Sequence, residues 1–260
     1  NCALLTGGEA LDTLTSRIKK GLDLNWGDDL GGEPESIGST RDLGSEFEKK
    51  HGIFDPSAVY PLFANSIRNS EGKSSKEHRE DIGNLFSRFS EIASQNKYAW
   101  FKIHRSPNEI VEETPNNRMV GFPYTKYMNS IMRVNQSAAL VITSAKKARE
   151  LGIPESKWIF MHGGGCLNDI WNITDRLNLH SSPAIKKCSQ AIFNAANCTQ
   201  ADISFFDLYS CFPSAVQIAK KEIGIPDEDN RDLTVTGGLP YYGGPGSAYV
   251  VNSIASMVSK

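Results

Sequence analysis

Charge of either sign is nearly absent as an excess: 28 Lys and Arg against 30 Asp and Glu leave a net charge of -2 over 260 residues. That balance gives no basic footprint for nucleic acid. No apolar run approaches the roughly 20 residues of a membrane span, and no basic amphipathic helix would rest on a lipid surface. The five cysteines, Cys2, Cys166, Cys188, Cys198 and Cys211, contain no Cys-x-x-Cys pair and no ladder of zinc-ligand spacings. His51, His78, His104, His162 and His180 are scattered, so no metal site is expected. An odd thiol count without a signal peptide predicts free thiols in a reducing, cytoplasmic setting. Neither Gly-x-Gly-x-x-Gly nor a glycine loop ending in Gly-Lys-Ser/Thr occurs, which argues against a Rossmann-type oxidoreductase and a Walker loop.

What is present is an ordinary globular composition, long enough for one large domain or two modest ones. The stretch from Ile203 to Gly224 organises the rest. Ile203, Phe205 and Leu208 alternate with Ser204 and Asp207, which predicts a strand. Val216, Ala219 and Ile223 share a helical face that Gly224 closes, and Pro213 suits the first turn. The elbow between them, Ser210-Cys211-Phe212-Pro213, places a thiol at the positive end of a helix dipole. There a thiolate would be favoured. Read without that context, Cys211 is a small buried apolar residue.

Earlier in the chain, Ala3 to Gly8 reads as a short buried strand, followed by a helix from Glu9 to Lys20 closed by Gly21. A strand so close to Asn1 calls for neighbouring strands, and the chain is expected to be part of a longer protein. Residues 27 to 45 have loop composition. Three helices then carry start signals: one over Ala58 to Asn69, one opened by Ser74 and Glu77, and one by Ser106, Pro107 and Glu109. In the first, Val59, Leu62, Phe63 and Ile67 line up. In the second, Ile82, Leu85, Phe86, Phe89, Ile92 and Ala93 do. Trp100 and Phe101 are expected in a small core. Such a length without strands reads as a helical insertion in an α/β domain.

Beyond it, Arg118, Lys126 and Arg133 are candidate phosphate ligands, with solvated surface charge as the plainer reading. Ser137 to Ser144 predicts a buried strand, Ala145 to Leu151 a helix, and Lys157 to Met161 another strand ending at His162 and three glycines. His162 could donate a hydrogen bond there. Ser182-Pro183 starts a helix whose Cys188 is expected in the core. The bend Gly237-Gly238 through Gly243-Gly244-Pro245-Gly246 feeds a final helix from Ser247, a place for an anion or oxyanion.

LLTGGEA at 4–10, NNRMVGFPYTKYMNS at 116–130, SAALVITS, HSSPAIKKCSQAI at 180–192, FDLYSCFPSAVQIA at 206–219 and TVTGGLPYYGGPGSAYVVNSIASM at 234–257 together resemble the thiolase superfamily, on the side of the sterol-carrier-type thiolases often labelled acetyl-CoA acetyltransferases. The resemblance implies an α/β, five-layer αβαβα fold of two similar halves with strands missing at both ends. Residues 1–21 and 129–151 would end the N-terminal half, 22–128 would be a helical loop domain carrying much of the coenzyme A binding, and 152–260 most of the C-terminal half. It also implies thioester exchange through a cysteine acyl-enzyme, with acyl-CoA as substrate, nothing held covalently, and a homo-oligomer or a partner subunit. The family's nucleophile would lie upstream of Ala3, and Cys2 is no substitute. Cys211 matches the family's elbow cysteine, while Tyr209 and Gly244 stand where the family has histidines. Losing oxyanion donors of that kind costs about two to three orders of magnitude each. Tyr209 or His162 would be the replacement donor, and Gly237, Gly238, Gly243 and Gly244 would approach the ligand. The alternative is a non-catalytic CoA-thioester or lipid-binding protein of the same fold.

Overall fold

The computed structural model describes residues 2–27, 31–33, 35 and 37–260. The 27–45 stretch expected as loop has no helix or strand where it is described; residues 28–30, 34 and 36 lie outside the description. Strand β1 (Cys2–Ala10) pairs antiparallel with β4 (Asn135–Thr143), from Cys2 opposite Thr143 to Ala10 opposite Asn135. Both expected strands therefore form, but their burial does not follow. Leu4 is 66% and Val141 62% exposed, because the only helix lying across the ladder is α9 (Tyr249–Val258), entered through a turn at Gly246–Ala248. Gly7 meets that turn closely; a methyl group there would sit 3.0 Å from the Ala248 Cβ. Helix α1 (Leu11–Lys19) follows β1 and ends as expected before Gly21, whose φ is +63°.

Between α1 and β4 the chain makes a helical excursion: α2 (Glu46–Lys50), α3 (Pro56–Ser70), α4 (Ser75–Gln95), α5 (Pro107–Val111) and the small hairpin β2 (Met119–Gly121) with β3 (Tyr124–Thr125). Ser45/Glu48, Ser74/Glu77 and Ser106/Glu109 all form reciprocal capping boxes. Helix α4 is the hub. Ile82, Phe86, Phe89 and Ala93 face the core, while Ser87 and Ser90 bond the backbone of Arg105 on its other flank. Trp100 and Phe101 do not make a core of their own. Their N–H groups donate to Tyr242 O (2.7 Å) and Tyr241 O (3.0 Å), and the Trp100 side chain is partly open.

After β4 come α6 (Ala145–Glu150), α7 (Pro183–Ala196) and α8 (Pro213–Ile223), all near their expected bounds. The strand expected at Lys157–Met161 is absent: the segment has no ladder partner, and Phe160 stands 63% exposed. Cys188, expected in the core, is only half-buried, since nothing encloses α7 beyond its contact with α8 and the 163–165 segment. Among the described residues no helix is long and apolar enough to cross a membrane.

Candidate functional site at the 209–213 elbow

The segment before the elbow is extended but is not the strand that alternation predicts, because it lacks a neighbouring ladder. Leu208 N–H donates to Leu233 O at 2.9 Å, and side-chain bonds replace the rest. Asp207 is their centre. One carboxylate oxygen accepts from Val235 N (2.8 Å), Thr236 N (3.1 Å) and the Thr234 hydroxyl (3.0 Å), the other from Ser253 (2.8 Å) and Tyr249 (3.1 Å). Sequence reasoning passed over this residue, although an acidic group in an apolar run is itself a sign of buried donors. Past it the chain turns into α8, with Pro213 at its first position and Gly224 (φ +83°) at its end, as expected.

The elbow and the glycine bend come together on one short segment. Ser130 N–H donates to Cys211 O at 3.0 Å. The next residue, Ile131, accepts from Gly244 N at 2.8 Å and donates to Leu239 O at 3.4 Å. Ser210 Oγ accepts from Leu239 N at 3.1 Å, joining the two bends directly. Helix α4 packs beneath this junction. A Cβ on Gly237 would fall 2.4 Å from that of Ala93, and one on Gly238 would overlap Phe89 and Ser210. The glycines thus permit contact with protein rather than leaving an open cradle: Gln136 fills the space at Gly243 and Ser130 that at Gly244.

Cys211 lies in the interior, 6% exposed, among the core residues. Burial pushes its thiol up to about 11, although the Tyr60 hydroxyl and the N–H groups of Phe212 and Cys211 pull the other way. The expected thiolate is therefore corrected. Desolvation outweighs the helix terminus, and at neutral pH the group is a thiol.

Three phenols surround it. Tyr60, from α3, stacks on Phe212 with ring centroids 4.3 Å apart and reaches the Cys211 sulfur with its hydroxyl. Tyr124, from β3, packs 5.7 Å from Phe212, and its hydroxyl accepts from Ser214 N at 3.2 Å. Tyr209 is half-exposed and turns edge-on to Tyr249 at 6.1 Å. Burial raises all three phenols, so each is a neutral hydroxyl. Tyr60 and Tyr124 were not singled out from sequence. A signal existed: Tyr60, Ala64 and Ile67 are spaced i, i+4, i+7, and this is the face α3 turns inward, one step from the expected 59/62/63/67 stripe.

The remaining candidates scatter. His162 is exposed on the unladdered 158–170 segment with no hydrogen bond to another described residue, and the neighbouring Gly163 and Gly165 serve close packing on α7. Arg118 and Lys126 are exposed and adjacent, linked by Lys126 N donating to Arg118 O at 2.9 Å. Arg133 is separate from them, paired with Asp12 at 3.4 Å. A cavity of about 790 Å3 opens beside the elbow, between α3 and α7, with Phe54, Val59, Tyr60, Leu167, Trp171 and Ile185 in its walls. The largest cavity, about 1180 Å3, lies elsewhere, between α4, β4 and α9. None of Tyr60, Tyr124 or Cys211 lines it, so its size does not make it the site.

A helical excursion seated on a strand-to-helix elbow, with a glycine bend tied to both, defines a thiolase-type α/β scaffold. Among solved structures the chain is similar to a monomeric SCP2-thiolase like protein type 1 from Mycobacterium smegmatis, with a TM-score of 0.82 and 30% identity over 100% of this chain and 49% of that one. It is also similar in fold to the Ltp2-ChsH2(DUF35) aldolase, with a TM-score of 0.60 and 20% identity over 80% of this chain and 56% of that one. The chain belongs to the thiolase superfamily, alongside the SCP2-thiolase-like proteins. It spans about half the length of the solved relatives it matches. No family model and no curated protein matches it.

Proposed function

We propose that this chain forms the acid–base side of a CoA-thioester site, in a thiolase-like acyltransferase built as five αβαβα layers with residues 22–128 as the loop domain. The observation that carries the reading is the convergence of elbow and glycine bend on Ser130–Ile131, with the Cys211 thiol between α3 and α8. Cys211 acts as a proton donor rather than as the nucleophile. A thiol held well above neutrality keeps its proton until a stronger base develops on the substrate. The nucleophile of the acyl-enzyme belongs to another part of the protein. The acyl group takes the apolar cavity beside Tyr60, and Arg118 with Lys126 meets the CoA phosphates as exposed point charges. The reading includes a partner subunit, because the second relative is named as an assembly with a DUF35 protein.

The second reading is a CoA-thioester or lipid-binding protein without turnover. It is favoured by Tyr209 and Gly244 standing where histidines were expected, and by the 6% exposure of Cys211. Incubating the full-length protein with acetyl-CoA separates the two. Acyl transfer yields an acetylated cysteine, detected by peptide mass. Binding by calorimetry without any adduct leaves the second reading, and absence of binding removes both.

A further inference from the structure

The phenol at Tyr60 and the thiol at Cys211 come from regions more than 140 positions apart, yet their placement is over-determined. Tyr60 is held by stacking on Phe212, the residue next to Cys211, at 4.3 Å and an interplanar angle of 15°. Helix α3 is in turn fixed against the β2–β3 hairpin: the Asn65 side chain donates to Phe122 O at 3.2 Å, and a Cβ on Gly121 would overlap Ser57 O at 2.8 Å. The ring cannot slide without disturbing both contacts. Its hydroxyl meets the Cys211 sulfur. Tyr209, one residue from the elbow's serine, is instead half-exposed and packs edge-on against Tyr249. Tyr124 is engaged through its oxygen with Ser214 N.

We propose that Tyr60 is the positioning residue of Cys211: its hydroxyl donates to the sulfur, fixes the thiol rotamer, and stays as donor when the proton leaves. This rests on the acid–base reading of the site. In the step it assists, the Cys211 S–H bond breaks, the proton passes to the basic atom forming on the thioester substrate, and the electron pair stays on sulfur. The O–H of Tyr60 remains intact and shifts only from a neutral to a charged acceptor, where a hydrogen bond is roughly twice as strong. The helical excursion then governs the chemistry of a cysteine that lies on a different part of the chain.

The test is the pH dependence of Cys211 alkylation by iodoacetamide in the full chain, followed on the Cys211 peptide by mass, with Cys211→Ser identifying the signal. Tyr60→Phe keeps the ring on Phe212 and removes one hydroxyl. Loss of a donor to the thiolate cuts the thiolate fraction about tenfold, and a more basic thiolate recovers about threefold in reactivity. Alkylation at pH 9 should therefore slow about threefold or more, with the whole rate profile moved to higher pH and the near-ultraviolet circular dichroism retained. An unchanged profile would overturn the proposal, as would a larger shift in Tyr209→Phe than in Tyr60→Phe. So would a Tyr60→Phe protein that loses thermal stability without any change in the profile, because Tyr60 would then be packing alone. No thioester is needed for this readout. Failure to bind acetyl-CoA would sink the acid–base reading and leave the thiol–phenol contact to be judged separately.

Discussion

Helix α4 and strand β1 are both confidently signalled in sequence, yet they end in opposite conditions. Along α4 eight residues are buried, from His78 to Ala93; along the nine residues of β1 none is. The helix satisfies its backbone within itself and closes its start through Ser74 and Glu77, so it needs only one apolar face to be covered. A strand leaves half its hydrogen bonds and both faces to other elements. Here β4 supplies one edge and α9 one face of β1. The same contrast separates α8, which forms to the residue, from the 203–208 segment before it, which is extended and unladdered.

The sharpest way to break the comparison is to delete equal chemistry from each side. Phe86 is 0% exposed at the centre of the α4 cluster, and Phe86→Ala should cost about 3–5 kcal/mol in urea unfolding. Val141→Ala on β4, at 62% exposure, should stay within about 0.5 kcal/mol. Comparable losses would mean that the ladder is covered as well as the helix. A smaller effect is expected at Asp207, where side-chain acceptance does the work of a ladder. Asp207→Asn turns one acceptor oxygen into an amide donor facing N–H and O–H groups, and should lower stability by about 1–3 kcal/mol. Thermal stability equal to the parent protein would show that the 203–208 segment is held by other means.

The smallest effect should come from Glu48, which joins the helical excursion to the irregular part of the chain. Its carboxylate is held down to about 2 by hydrogen bonds first from Thr174 and then from Ser45, against the opposing influence of burial. Since the folded value lies below the ordinary 4.5, the carboxylate's contribution is complete above that pH and is lost as pH falls toward 2. Glu48→Gln should therefore melt lower than the parent at pH 7, and the two melting curves should converge as the pH approaches 2. A gap that persists unchanged in acid would assign the effect to shape rather than charge.

These contrasts also explain what could be read in advance. Caps are local, so Ser74/Glu77 and Ser106/Glu109 were legible from four residues each, and the elbow from Pro213 and Gly224. Helix α2 has the same Ser45/Glu48 pattern, but it sits beside a glycine- and acid-rich stretch that hid it. The unformed 157–161 strand has every local mark of a strand and no partner. Nothing in five residues can report a missing partner. At the candidate site the thiol and both bends were legible, but the ionisation of Cys211 was not. Helix position is a sequence property, whereas desolvation depends on Tyr60 and Tyr124, supplied from elsewhere in the chain. Glycine content likewise signalled close approach at 237–244 without saying that the approaching groups would be Ala93, Phe89, Ser130 and Gln136.

The contact between Gly237 and Ala93 carries its own consequence. With φ at +102° on one side and a methyl group 2.4 Å from any added carbon on the other, neither position has room to grow. A randomised library covering both sites should return little beyond the glycine–alanine combination. Attempts to re-engineer the loop after Thr236 would have to move a whole helix to gain a single carbon.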